Sequence, residues 1–419
     1  MKNRLIALLR WSEKYTKTDM VYLAESGFWL QASSVFISLS SFLLYVVFGH
    51  VLSKEVYGTY QYLLSLGAIV GAFTMTGMSA AVVRAVARGF DGTFVTSIRT
   101  QLIWGIMPAL GSWILGAYYL THHNQTLGIG LLLIGVFVPI STTFNTFSAY
   151  LVAKKDFKSN FFYGLIINLP YYLSVALVAI SLKSALALLA ANLISQAIGY
   201  YIAYRRTLRT HPPNKKVDAS AARYGTHLSG VGILTTIMTQ IDNVLVYHLL
   251  GAAPLALYSF ATAVPDRLSI FKNIAMAAFP KYAIKTHHEM LTSMGRKIGM
   301  GIGVTAIIAV SYIMLAHLFF GIFFPRYLEV VPYSQIYVLI IIFSFSHLFT
   351  TALTAHGHTR ELYLFNTIAP ILTFASITTG ILWWGLWGLI VGRIVGAAFC
   401  SFLALAFFLF ARRTIPRYS

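Results

Sequence analysis

Residues 240–285, QIDNVLVYHLLGAAPLALYSFATAVPDRLSIFKNIAMAAFPKYAIK, place Asp242, Asp266, Arg267 and Lys272 in stretches otherwise apolar enough to lie in a bilayer. Each such charge costs about 2.5–3.5 kcal/mol on insertion scales. These side chains therefore face a protein interior or a wet cavity rather than lipid. Arg393 lies inside the last apolar run and Arg84 at the end of the second. Four cations against two carboxylates leave a net positive interior, and guanidinium groups grip phosphate through two parallel hydrogen bonds. This pattern predicts capture of an anion, a phosphate above all, by Arg84, Arg267, Lys272 and Arg393. Two other readings stay open. Asp266 with Arg267, or Asp242 with a lysine, would pair locally to hold helices together, and Asp242 would alternatively take up a proton or Na+ during a transport cycle.

Around these charges the sequence offers neutral polar and aromatic groups. Ser34, Ser38 and Ser41 follow i, i+4, i+7 on one helical face, which turns toward other helices or water. Asn145 sits in STTFNTFSAY, Asn168 precedes Pro170, and Tyr60 and Tyr258 each open a helix after a short turn. These residues are expected to line a cavity. Signatures of enzymes are missing: there is no GxSxG, HExxH or Walker sequence. His122, His123, His287, His288, His356 and His358 sit in loops without acidic or cysteine companions at metal spacing, so they read as interfacial histidines and no metal site is expected. The single cysteine, Cys400, excludes an internal disulfide, and no cofactor is implied.

Positioning such groups requires a membrane scaffold. The chain has 419 residues, 58% hydrophobic and 10% charged, with mean hydropathy +0.72, which excludes a soluble domain. At roughly 20 apolar residues per crossing there is room for about twelve spans. They begin near Phe28, Tyr57, Leu102, Gly128, Phe161, Ala185, Leu228, Leu255, Ile298, Val331, Leu362 and Leu386. A soluble protein of net charge +19 would suggest nucleic acid, but here most basic residues fall in alternate connections. That places both termini in the cytoplasm by the positive-inside rule and argues against a nucleic-acid partner. The N-terminus carries an amphipathic patch (Leu5, Ile6, Leu8, Leu9, Trp11) expected to lie on the membrane surface.

The connection containing THPPNKK divides the chain almost in half. The reading is an N-terminal lobe of six helices, residues 1–209, a cytoplasmic linker, 210–222, and a C-terminal lobe of six, 223–419. The halves look duplicated: Tyr60 corresponds to Tyr258, and Tyr163 with Pro170 to Tyr363 with Pro370, each about 200 residues on. With an even number of spans per half, the copies are parallel repeats. Pro170 and Pro370 serve either as kinks beside the site or as packing features. Gly388, Gly392 and Gly396 recur every four residues, as does the small-residue run GRKIGMGIG from Gly295, and both predict close helix approach.

On these residues the chain resembles the Wzx-type O-antigen and polysaccharide flippases of the multidrug/oligosaccharidyl-lipid/polysaccharide (MOP) exporter superfamily. EVYGTYQYLLSL with TGMSAAVVRAVARG is similar to their second helix, QIDNVLVYHLLGAAPLALYSFATAV with AAFPKYA to their seventh and eighth, and FFPRYLEVVPYSQIYVLIIIFSF to their tenth. The resemblance implies an all-α polytopic protein with two six-helix lobes in a MATE-like V-shaped bundle. It would carry an undecaprenyl-diphosphate-linked oligosaccharide across the bacterial inner membrane. Arg84, Arg267, Lys272 and Arg393 would then attract the diphosphate, and tyrosines and amides would meet the sugars. Membrane lipids are implied as partners, together with an O-antigen polymerase and a chain-length regulator. The alternatives are a membrane-embedded glycan enzyme of polymerase or acyltransferase type and a multidrug exporter of the same superfamily.

Overall fold

The structure, a computed structural model, describes residues 20–268, 287–355 and 358–411. Among them every regular element is helical. In chain order these are α1 (Met20–Val51), α2 (Lys54–Ala72), α3 (Met78–Ala87), α4 (Gly92–Thr121), α5 (Gln125–Phe144), α6 (Thr146–Ala153) and α7 (Phe157–Ser181). There follow α8 (Ala185–Thr210), α9 (Ala221–Leu250), α10 (Ala252–Ala263), α11 (His287–Phe323), α12 (Val331–Tyr337), α13 (Ser346–Ala355) and α14 (Thr359–Phe410). Short 3-10 turns join several of them at Pro265–Leu268, Pro325–Val330 and Val338–Phe343.

Nine of the described segments are long and apolar enough to cross a membrane, so the chain is a multi-pass membrane protein. The longest, Arg360–Phe410, leaves helical geometry at Trp384 and Gly385 (φ 57°) and so supplies two crossings. The expected second span is split by a turn over 73–77 into α2 and α3, and its first turns carry Lys54, Glu55, Thr59 and Gln61. The expected eighth begins as α10 and runs toward residues that are not described. α7 and α14 remain helical through Pro170 and Pro370; in α14 the break falls instead at Gly385, whose positive φ suits glycine.

The chain forms two compact units. The first takes Met1–Leu52 with Leu63–Gln240, the second Ser53–Tyr62 with Ile241–Ser419, so the boundaries run through α2 and α9. In the first unit, α4 and α5 make a close hairpin: a Cβ on Gly116 would meet the Gly128 carbonyl, and one on Gly135 would meet Trp113. Ser112 Oγ and Trp113 Nε1 donate to Leu131 O (2.7 Å) and Leu132 O (3.2 Å) across it. Trp29 of α1 packs on Phe161 and Phe162 of α7, with centroids 5.3 and 5.8 Å apart. A core of Val82, Phe94, Ile98, Phe147, Tyr150, Ile167 and Ala203 joins α3, α4, α6, α7 and α8.

Residues 211–218 are fastened to that core at one end. Asn214 Oδ1 accepts from the Asp91 and Lys216 amides (3.2 and 3.0 Å), and its Nδ2 donates to Gly89 O (2.9 Å). Lys154 Nζ donates to Asp91 Oδ2 (2.8 Å), and His211 lies 3.3 Å from Asp156. Asp218 accepts from the hydroxyl and amide of Ser220, which hold its carboxyl below the usual range, and Arg88 lies 3.8 Å away. Because Asn214 alone ties three backbone groups, Asn214→Ala is expected to lower stability by about 1 kcal/mol, read as a lower thermal midpoint of the purified protein.

In the second unit, the strip Ser53–Tyr62 packs on α9, α10 and the turn at 325–330. Tyr62 Oη is hydrogen-bonded to His248 Nε2 (2.7 Å) while its ring stacks on Tyr247 at 3.9 Å. Tyr57 meets Phe260 at 4.9 Å, Lys54 pairs with Glu329, and Gly58 lies against the Ala252 backbone. The two limbs of α14 fold back on each other along glycines: Gly388 abuts the Gly380 carbonyl, Gly392 that of Ser376, and Gly396 lies against Thr373. The close approach expected of Gly388, Gly392 and Gly396 is thus present. In the run from Gly295, a Cβ on Gly295, Gly299 or Gly303 would meet no described atom within 4 Å.

Candidate functional site

The second unit gathers several of the expected residues. Asp242 of α9 is 2% exposed, at a depth where an isolated carboxylate would be untenable. Arg393 of α14 answers it, with Nε 2.7 Å from Asp242 Oδ2. Tyr258 of α10 donates to the same oxygen at 2.7 Å. The Tyr258 ring meets Tyr337 of α12 edge-on, with centroids 6.5 Å apart, and Tyr337 Oη donates to Asp266 Oδ1 at 2.9 Å. Two carboxylates, two tyrosines and one arginine from α9, α10, α12, α14 and the turn Pro265–Leu268 thus gather as an Arg393–Asp242–Tyr258 cluster and a Tyr337–Asp266 hydrogen bond that meet through the two tyrosine rings.

This arrangement changes the expected chemistry of Arg393. Its charge is balanced by Asp242 rather than left for an anion alone, although 26% of its side chain stays accessible. Asp242 Oδ1 is buried and has no hydrogen-bond partner among the described residues. Arg267 shares the turn with Asp266, and both are exposed. Lys272 lies outside the described residues, as do His356, the N-terminal patch and the basic residues 412–417.

The remaining residues distribute as follows. Tyr60 is buried in the second unit, 1% exposed. Arg84 belongs to the first unit, exposed at the end of α3 with its guanidinium 4.9 Å above the Tyr224 ring. Asn145 and Asn168 line a common cavity in the first unit, where the Asn168 side chain also donates to Gly164 O (2.9 Å). Ser34 and Ser38 are exposed on α1, and Ser34 Oγ donates to Leu30 O (3.0 Å); on that helix Ser33 lines the cavity. Among the described residues no three of His, Cys, Asp and Glu converge as a metal would need.

Sequence reasoning overlooked Tyr337 and a row of polar residues on α8. Tyr337 stands at the start of VLIIIF, where one phenol in an apolar run was the available signal. Asn192, Gln196 and Tyr200 recur at i, i+4, i+8 and so share one helical face, a pattern legible without a structure.

The described helices define a multi-pass membrane protein whose fold is similar to that of solved MOP superfamily transporters. The chain is similar to an inward-facing multidrug resistance MATE family transporter of that superfamily, at 11% identity and TM-score 0.65 over 90% of this chain and 94% of the other. It is similar to the lipid II flippase MurJ in an inward closed conformation, at 12% identity and TM-score 0.61, covering 92% and 87%. A MOP superfamily transporter from Pyrococcus furiosus, described as having a binding pocket of reverse polarity, matches at 10% identity and TM-score 0.56 over 94% of each chain. These solved structures are transporters and a flippase rather than enzymes, and at such identities the likeness concerns the fold. No curated protein matches the sequence significantly. The family profile of polysaccharide biosynthesis proteins matches residues 47–294, more than half of the chain, and the chain belongs to that family.

Proposed function

We propose that this protein moves an undecaprenyl-diphosphate-linked oligosaccharide, an O-antigen or related repeat unit, across the bacterial inner membrane by alternating access. On this reading both termini lie in the cytoplasm, and a polymerase with its chain-length regulator takes the product. The observation that carries the reading is the cluster of Arg393, Asp242 and Tyr258, with Tyr337 and Asp266 beside it, in a member of a polysaccharide biosynthesis family. Intramembrane ionisable groups mark solute and proton paths far more often than they mark scaffolding. Arg267, on the turn that carries Asp266, and Lys272, five residues further along the sequence, would meet the diphosphate. Arg393 would join them when Asp242 is protonated, because a neutral carboxyl no longer competes for the guanidinium. Proton uptake at Asp242 Oδ1 would thereby couple to binding; Na+ would act at the same oxygen.

The test is translocation of a fluorescent undecaprenyl-diphosphate glycan in proteoliposomes holding the purified chain. Transport of the glycolipid is expected, and Arg267→Ala and Lys272→Ala are expected to abolish it while leaving the thermal midpoint unchanged. Polymerisation of sugars without translocation, or movement of cationic dyes but not of the glycolipid, would overturn the reading. Normal transport by both variants would remove the proposed diphosphate role of these two residues.

A further inference from the structure

The first unit contains two neighbouring cavities, of about 220 and 240 Å³, whose walls share Asn145 and Tyr200. The first lies between α2, α5 and α8 and presents Ser141, Asn192 and Gln196. The second lies between α1, α6, α7 and α8 and presents Ser33, Asn160 and Asn168 beside the rings of Phe36 and Phe161. Neither wall carries an acidic or basic side chain. In the first chamber Gln196 Nε2 donates to Asn192 Oδ1 (2.6 Å), which fixes both amides. Ser141 is 8% exposed, and its Oγ is buried without a hydrogen-bond partner among the described residues, although it lines the chamber. Buried hydroxyls in folded proteins are almost always satisfied, and this one lies in the wall of the chamber without a hydrogen-bond partner among the described residues.

The lining selects the chemistry of that molecule. A cation would find no carboxylate here, and a phosphate would find no guanidinium or ammonium group. A lipid chain would strip water from amides and hydroxyls without replacing their hydrogen bonds. A neutral polyol fits: amides offer donor and acceptor to vicinal hydroxyls, and flat rings accept the apolar C–H face of a pyranose.

We infer that these paired chambers are a sugar subsite, one monosaccharide to each, that receives the first uncharged residues of the lipid-linked glycan. This rests on the flippase reading above and adds the place in the first unit where the sugar is held. It separates the work of the two units: the charged cluster of the second deals with the anion, the neutral chambers of the first with the carbohydrate.

The experiment uses the full chain in nanodiscs. Affinity is measured for undecaprenyl diphosphate and for the same lipid carrying glucose, galactose or N-acetylglucosamine. At least one glycosylated form is expected to bind about tenfold more tightly than the bare lipid. Ser141→Ala is expected to reduce that advantage about fivefold, with bare-lipid affinity and thermal midpoint unchanged, because the hydroxyl has no hydrogen bond among the described residues to lose. Asn145→Ala, at the shared wall, is expected to reduce it further. Arg267→Ala should instead weaken all of the lipids together. Equal affinity for bare and glycosylated lipids would overturn the inference, as would an advantage that survives in Ser141→Ala and Asn145→Ala, or a uniform loss for all lipids in those variants. Should none of the lipids bind, the flippase reading itself falls.

Discussion

Arg393→Leu is expected to lower the unfolding free energy by about 3–5 kcal/mol. Asp242 is 2% exposed and has Arg393 Nε 2.7 Å from one carboxylate oxygen, while the other lacks a hydrogen bond among the described residues. Removing the guanidinium leaves an anion in a low-dielectric interior with one neutral donor, Tyr258, to hold it. A buried pair adds little net stability over apolar packing, but a half-pair is costly. The double variant Asp242→Asn with Arg393→Leu should therefore recover most of the loss, since an asparagine oxygen still accepts from Tyr258. Transport should stay absent in the double variant if the pair serves the cycle. Thermal and denaturant unfolding in detergent, alongside the proteoliposome assay, separate these effects. Wild-type stability in Arg393→Leu alone would show that the pair does not form.

The second large effect concerns the hairpin within α14. Gly380 and Gly388 face each other so closely that a side chain on either would enter the backbone of the other limb. Gly388→Val is expected to destabilise the protein by about 3 kcal/mol or more, because neither backbone can yield without parting the limbs. Arg393 lies one turn and a residue beyond Gly388, so its approach to Asp242 should suffer with the hairpin, and loss of transport should accompany loss of stability. Gly303→Ala is the control. With no described atom within 4 Å, and alanine the better helix former by about 0.5–1 kcal/mol, it is expected to be neutral or slightly stabilising. Equal thermal midpoints for Gly388→Val and Gly303→Ala would contradict the close packing.

Much of the fold was legible because the bilayer leaves a backbone few options. A chain with mean hydropathy +0.72 must satisfy its amides internally, and helices follow. Gly388, Gly392 and Gly396 were legible for a similar reason, since spacing of four places all of them on one face. What they pack against was not: spans beginning near Leu362 and Leu386 were expected, but spacing on one limb does not name the residues it meets on the other, here Gly380, Ser376 and Thr373. Asp242 stood out by depth alone, but its partner is distant in sequence, and no local rule chooses among Arg267, Lys272 and Arg393. The α8 face of Asn192, Gln196 and Tyr200 was readable and passed over, since neutral amides raise no alarm beside charges.

The second unit begins with Ser53–Tyr62 and resumes only at Ile241. During synthesis this strip emerges long before His248, Ala252, Phe260 and Glu329, the residues it will touch. It must wait in the membrane, its contacts to those residues not yet made, while nearly all of the first unit is made. A gene severed within residues 211–220 would yield two fragments that each hold an incomplete second unit. Neither fragment would be expected to mature alone, whereas together they could regain the native form by exchanging that strip.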